Sequence, residues 1–194
     1  MRGAVNPDSA EAWVEVNDAC SFDDDYSSTF NISAMNGTTG NTESMNRVNP
    51  PSAGDNLVHV SCNNISGFSI KAIGYSPDAT HTTGYDGNTD MYSSTTSAVI
   101  STGTATSGAT SAWAMKITSA TNDVVTTTSG VTYPNGYQNT YGVVPSSATT
   151  VLHFAGSTSA VVTGSFRPDY QYYISQSQPA GTYTGKVKYT IIGD

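Results

Sequence analysis

Cys20 and Cys62 are the residues whose type and number point most directly to a reaction, the formation of a disulfide. They are the only two cysteines, and neither belongs to a CxxC motif of the kind that binds zinc. A bond between them would span 42 residues and stabilise the fold by roughly 4 kcal/mol in the chain-entropy model. Pairing would imply an oxidising compartment, whereas the alternative is two reduced, buried thiols in a cytosolic protein.

A second candidate for chemistry is a short polar stretch in which Asp86, Asn88 and Asp90 alternate as the oxygen ligands of calcium loops do. The glycine expected at the sixth loop position is replaced by Met91, and no glutamate follows at the twelfth. A polar turn is therefore the favoured interpretation, and a weak Ca²⁺ site is the alternative. No cofactor is predicted.

Residue types suited to catalysis are present, but they form no recognisable motif. His59, His81 and His153 are scattered along the chain, and no Gly-x-Ser-x-Gly sequence occurs. All three glutamates lie in the first quarter of the sequence, in segments predicted to be arm or loop. We therefore predict that the protein is not an enzyme.

Tyrosine is the most frequent aromatic residue, with 12 copies against 5 phenylalanines, and it suits half-exposed strand surfaces. Tyr137, Tyr141, Tyr170 and Tyr173 are candidates for a surface that stacks against sugar rings. The alternative is that these rings pack in the core and between neighbouring strands, as aromatic residues do in any sandwich.

Composition excludes several classes of function. The 194 residues carry a net charge of −8, and an acidic chain repels nucleic-acid phosphates. No run of about 18 apolar residues is present, so no membrane span is predicted. No signal-peptide pattern follows Met1, so an exported protein would be represented here in its mature or a trimmed form. Only 11% of residues are charged, and Ser, Thr and Asn supply the polar surface.

Alternation of apolar and polar residues with a period of two predicts the elements that hold these side chains. Residues 38–55 are polar and are predicted to form a long loop. No segment has a helical period longer than one turn. Many short strands with Gly and Pro turns are typical of an all-β sandwich. The clearest predicted strands are 56–62, 67–75, 112–118, 149–155, 165–175 and 182–191.

The pattern divides the chain into an N-terminal arm, residues 1–17, and a single β-sandwich domain, residues 18–194. Within the arm, Ala12, Val14 and Val16 lie on one face of a short predicted strand. Trp13 and Glu15 lie on the other face.

Two features of the sequence resemble a known family. An extension of about twenty residues precedes Cys20, and Cys62 follows some forty residues later at the end of the predicted strand 56–62. The chain closes on Gln178-Pro179-Ala180-Gly181 and an alternating strand that contains Tyr183 and Tyr189. This arrangement resembles the secreted pilin-like and spore-coat-U-like β-sandwiches of the chaperone–usher type. It is also similar to uncharacterised surface proteins of candidate-phylum bacteria.

The resemblance implies an immunoglobulin-like, pilin-like sandwich that a neighbouring subunit completes by donor-strand exchange. The arm would be the donor, with Ala12, Val14 and Val16 as its inserted residues, Trp13 beside them and Val5 as a further anchor. The implied function is a structural subunit of a fimbria-like extracellular filament or surface layer, with copies of itself as partners. The alternative is a secreted, glycan-binding adhesin at the cell surface. No nucleic-acid partner is expected for either.

Overall fold

The structure is a computed structural model. It describes residues 20–23, 26–27, 39–44, 46–47, 57–75, 87–93, 96–103, 110–124, 130–158, 161–175, 177–179, 181 and 183–194.

Within these ranges the chain forms thirteen β-strands and no helix. In chain order the strands are β1 (Cys20–Phe22), β2 (Tyr26–Ser27), β3 (Thr39–Ser44), β4 (Asn46–Arg47), β5 (Val58–Cys62), β6 (Gly67–Tyr75), β7 (Met91–Tyr92), β8 (Val99–Thr102), β9 (Ala112–Asn122), β10 (Val131–Thr132), β11 (Thr149–Ala155), β12 (Val162–Tyr173) and β13 (Lys186–Gly193).

The strands form two packed sheets. The larger sheet has the order β1-β5-β12-β9-β8-β7, and β3 pairs with a further part of β12. The smaller sheet has the order β10-β11-β6-β13, while β2 and β4 form a separate two-stranded pair. Along β5, β6, β9, β11, β12 and β13, consecutive strands alternate between the two sheets. The all-β sandwich predicted from the sequence is confirmed.

Alternation of side chains explains how both sheets share one core. In β5 and β6 every second residue is buried, which is the pattern of a strand with one face against a second layer. Phe68 and Phe154 stack across neighbouring strands with ring centroids 4.6 Å apart. The largest fully buried side chains come from both sheets: Phe68, Ile70, Leu152 and Phe154 from the smaller, Met115, Ile117 and Phe166 from the larger.

Strand β12 is the centre of the larger sheet. One side of it pairs with β9 over almost its whole length, and the other side pairs first with β5 and then with β3. The register with β9 shifts between Arg167 and Pro168. Proline has no backbone N–H to donate to a ladder, so a bulge at this position is expected.

The disulfide between Cys20 and Cys62 is confirmed. The two residues lie directly opposite each other in the antiparallel pair β1–β5, and both are buried. The bond therefore fixes a three-residue strand to the edge of the larger sheet. It also indicates an oxidising compartment.

The prediction of a polar loop over residues 38–55 was wrong in part, because β3 and β4 lie within it. The sequence of β3, Thr-Gly-Asn-Thr-Glu-Ser, has no apolar alternation. Its residues pair instead with Asp169, Tyr170, Gln171 and Tyr173 of β12. Pairing with β12 has overridden a weak local preference.

Candidate functional site

The candidate site is the open edge of β13, the last strand of the smaller sheet. All eight of its residues pair with β6, from Lys186 opposite Tyr75 to Gly193 opposite Phe68. Within the described ranges, no second strand pairs with the other side of β13. An edge of this kind presents a row of backbone donors and acceptors that a further strand can use.

The hydrogen-bond pattern shows which peptide groups lie on the open side. Just beyond the strand, Asp194 N–H donates to the Gly67 carbonyl at 3.2 Å, and Gly74 N–H points away from β13 to the Pro145 carbonyl at 2.7 Å. Paired residues of an antiparallel ladder alternate between hydrogen-bonded and non-hydrogen-bonded. The peptide groups of Val187, Tyr189 and Ile191 therefore face away from β6.

The side chains of these same three residues are directed into the core. Val187, Tyr189 and Ile191 are only 6, 3 and 1% exposed. The edge thus offers backbone groups for pairing, while the apolar face of the strand is already covered. A strand added here would extend the smaller sheet.

Both ends of β13 are held in place. Before the strand, Thr184 and Tyr92 exchange two backbone hydrogen bonds of 2.9 Å. After it, the Asp194 carboxylate contacts His153 Nε2 at 2.7 Å and accepts a hydrogen bond from Ser69 Oγ at 3.2 Å. Asn64 Nδ2 donates to the Asp194 backbone carbonyl at 2.7 Å. These contacts pre-organise the edge as an extended strand.

A buried pair of tyrosines connects β13 to β12 across the core. The hydroxyl groups of Tyr170 and Tyr189 are 2.8 Å apart, and each side chain is at most 3% exposed. Burial raises the pKa of both phenols well above the ordinary value of 10. Both therefore stay neutral at physiological pH and hold the two sheets together by a hydrogen bond.

The outer face of β13 is basic. Lys186 and Lys188 alternate with the core-facing residues, and Lys71 lies on the same face of the neighbouring strand β6, opposite Thr190. Lys186 Nζ is 5.8 Å from the centre of the Tyr75 ring. Three of the four lysines of an acidic chain are thus grouped on one face.

The residues predicted for the donor arm, Val5, Ala12, Trp13, Val14 and Val16, lie outside the described residues. Their role as the donor strand or subunit interface stays a prediction.

Part of the candidate calcium loop is described. Asp86 lies outside the described residues. Asn88 Oδ1 accepts a hydrogen bond from Asp90 N–H at 3.0 Å, as in a polar turn. No cluster of three or more His, Cys, Asp or Glu that could bind a metal occurs in the described part of the chain.

The four tyrosines predicted to stack against sugars do not form an exposed surface. Tyr137, Tyr170 and Tyr173 are 7, 3 and 8% exposed, so three of the four rings are packed inside the protein. Tyr141 is half-buried, with Lys116 Nζ 4.4 Å from its ring centre. The alternative interpretation, packing in the core and between strands, describes these rings better.

The open edge was missed by sequence reasoning, although a signal for it exists. Lysines at alternate positions of an apolar strand, as in Lys186-Val187-Lys188, are typical of edge strands. Alternation alone does not reveal which strands are neighbours, so the grouping of Lys71 with this pair could not be predicted.

Comparisons with known proteins identify no relative. No protein-family model matches the chain, and no curated protein or solved structure is significantly similar to it. The resemblance based on cysteine spacing therefore stays a prediction. Within the described residues, no helix is long and apolar enough to cross a membrane.

Proposed function

We propose that this protein is a structural subunit of an extracellular filament or surface layer. Assembly would occur when the arm of one copy, residues 1–17, adds as a strand to β13 of the next. The observation that carries the proposal is the open edge of β13, eight residues long, with β6 as its one described ladder partner. Backbone hydrogen bonds to such an edge supply affinity in strand addition generally.

The closed core determines the form of the addition. Because Val187, Tyr189 and Ile191 are already buried, the arm would extend the smaller sheet. The strands β1 and β13 approach each other at this side of the sandwich. Ala12, Val14 and Val16 would cover the seam between the two sheets there.

The disulfide supports the extracellular part of the proposal. A buried cross-strand disulfide persists in oxidising compartments, among which the extracellular space is the one where filaments and surface layers form. Low charge and a surface rich in Ser, Thr and Asn fit the same location.

Electron microscopy of the full-length protein beside a chain lacking residues 1–17 tests the proposal. We expect filaments from the first and monomers from the second. Val14→Pro removes an arm N–H and breaks the predicted strand, so it should also abolish filaments. Ser9→Pro is the matched control, because it lies outside the alternating stretch, and it should leave assembly intact.

Size-exclusion chromatography can give the result that would contradict the filament proposal. If the full-length protein runs as a compact monomer over a wide range of concentration, and if removal of the arm changes nothing, the filament proposal is wrong.

The second candidate is a secreted glycan-binding module, favoured by the grouping of Lys71, Lys186 and Lys188 on one sheet face. Such a face would bind acidic sugars rather than neutral ones. Binding to a polyuronate, but not to a neutral glucan, would support this function. Loss of the binding in Lys71→Glu, with no loss in Lys116→Glu on the other sheet, would locate it.

A further inference from the structure

Strand addition to β13 leaves open how the correct strand is chosen and in which register it binds. Backbone groups are the same for every sequence, so they cannot supply specificity. The side chains along the outer face of β13 can, and the two nearest its start are Lys186 and Lys188. Lysines on an edge strand oppose pairing with unselected strands. They would favour a strand that brings negative charge.

The arm contains a stretch with the complementary pattern. Along Glu11-Ala12-Trp13-Val14-Glu15-Val16, the apolar residues occupy the even positions, and the two glutamates and Trp13 occupy the odd ones. As a strand, this stretch would carry a small apolar face and a face with two carboxylates and one indole ring.

The period of two decides which face of the arm lies beside the two lysines. Residues directly opposite each other in neighbouring strands share a face, and a slip by one residue inverts all of them. If Val14 lies on the core side like Val187, then the glutamates must lie on the lysine side. This result holds for parallel and for antiparallel addition, because it depends only on the period of two.

We propose that Lys186 and Lys188 recognise Glu11, Trp13 and Glu15 in the arm of a second copy, and so select the donor strand and its register. The proposal rests on the strand addition described above. In an antiparallel arrangement, Glu15 opposite Lys186 places Trp13 opposite Lys188 and Glu11 opposite Thr190, where Glu11 is a diagonal neighbour of Lys188. A carboxylate and an aromatic face both attract an ammonium group.

The connection to β1 limits which residues of β13 the arm of the same chain can reach. Cys20, opposite Cys62, and Gly193, opposite Phe68, lie at the sandwich end where β5 turns into β6. Five residues from Cys20 to Glu15 span at most about 18 Å. The strand from Gly193 back to Lys186 covers roughly 23 Å at 3.3 Å per residue. Glu15 of the same chain could therefore lie beside Lys188 but falls short of Lys186, so pairing of Glu15 with Lys186 requires the arm of a second copy.

Charge reversal on each side tests the proposal. One variant carries Glu11→Lys and Glu15→Lys, and the other carries Lys186→Glu and Lys188→Glu. Each alone would place like charges together, and we expect the critical concentration for assembly to rise roughly tenfold. An equimolar mixture should assemble nearly as the wild type does, since every junction then joins opposite charges.

Lys116→Glu is the matched control, because it reverses a lysine on the larger sheet, and it should assemble normally. Thermal unfolding of each variant, compared with the wild type, shows whether the monomer is intact. Salt should weaken assembly of the wild type and relieve the defect of each reversed variant.

Three results would overturn the proposal. If both charge variants assemble as the wild type does, the lysines do not select the arm, although strand addition itself survives. If each variant fails and the mixture also fails, the second-copy pairing is wrong. If the wild type forms no filaments, the proposed function fails and this inference falls with it.

Discussion

The last two strands, β12 and β13, face each other across the core but differ in how their backbones are used. β12 has neighbours on both sides, β9 on one and β5 with β3 on the other. β13 has β6 on one side and no described partner on the other. Both place aromatic residues in the same core, where Tyr170 and Tyr189 are joined by a hydrogen bond. Both strands therefore bury their side chains in the core, and they differ in that the outer peptide groups of β13 have no strand partner among the described residues.

The larger sheet ends at β1, and this edge differs from the edge of the smaller sheet at β13. In the order of the sheet, β1 lies outside β5. It is an edge strand of three residues that a disulfide fixes in place. A short, covalently attached edge offers little for a further strand to pair with, whereas β13 offers eight residues. Among the described residues, the edge of the larger sheet is therefore closed by β1, and the edge of the smaller sheet at β13 has no second partner.

Removal of the disulfide should produce the largest effect on the closed side. Replacement of Cys20 and Cys62 by alanine deletes a cross-link over 42 residues and should lower the free energy of unfolding by about 4 kcal/mol. Urea unfolding of the double variant beside the wild type measures this. The wild type in a reducing agent should match the variant to within the packing cost of the two side chains. Equal stability with and without the bond would show that β1 does not close this edge.

Amide hydrogen exchange distinguishes β12 from β13 residue by residue. In the monomer, amides along β12 should be protected at nearly every position other than Pro168. Along β13, Val187, Tyr189 and Ile191 should exchange at least about 100-fold faster than Lys188, Thr190 and Ile192, because only the latter donate to β6. NMR can follow both sets. Uniform protection along β13 in the monomer would mean that another segment covers the edge.

The sequence predicted the long strands well because their alternation is strong. Residues 67–75 and 149–155 match β6 and β11 at both ends. The predicted strand at 182–191 begins four residues early and ends two residues early, since β13 runs over Lys186–Gly193. Alternation with a period of two shows which residues face a core. The residues of a turn next to a strand can continue the same alternation, so the ends of a strand are predicted less well than its centre.

What the sequence could not predict is which strands are neighbours. The alternation of consecutive strands between sheets depends on packing over the whole chain, and no single segment encodes it. The candidate site depends on that order, because β13 is an edge strand only if no other strand pairs with the side of β13 that faces away from β6. The disulfide could be predicted from the sequence because it needs only two cysteines and a suitable separation between them.

The tyrosine pair that joins β12 to β13 should have a moderate and pH-dependent effect. Tyr189→Phe removes the hydrogen bond to Tyr170 in a buried site and should cost about 1–2 kcal/mol of stability. Burial raises the pKa of both phenols above the unfolded value of about 10, so the unfolded state loses its protons first. The stability that depends on this difference is fully present below about pH 10 and is lost as the pH rises toward the folded-state pKa.

Thermal unfolding between pH 8 and pH 11 measures that dependence. The double variant Tyr170→Phe and Tyr189→Phe should lose part of the alkaline decline, and the stabilities of the two single variants and the double variant should show coupling. Additive single effects would mean that the hydroxyl groups do not act together. In that case the two strands would be joined by packing alone.

The smallest effect is expected at the end of β13, where His153 Nε2 lies 2.7 Å from the Asp194 carboxylate. The two side chains are 35 and 31% exposed, so water and salt weaken the pair and its loss should cost less than about 1 kcal/mol. His153→Gln should leave global unfolding almost unchanged while the amide of Ile192 exchanges faster. Ser69→Ala, which removes the other side-chain contact to the carboxylate, is the matched comparison. The contrary result is that the amides at the end of β13 stay as protected from exchange in both variants as in the wild type. In that case the backbone of Asp194 is held sufficiently by the hydrogen bonds from Asn64 and to Gly67, and the carboxylate contributes nothing to the order of the edge.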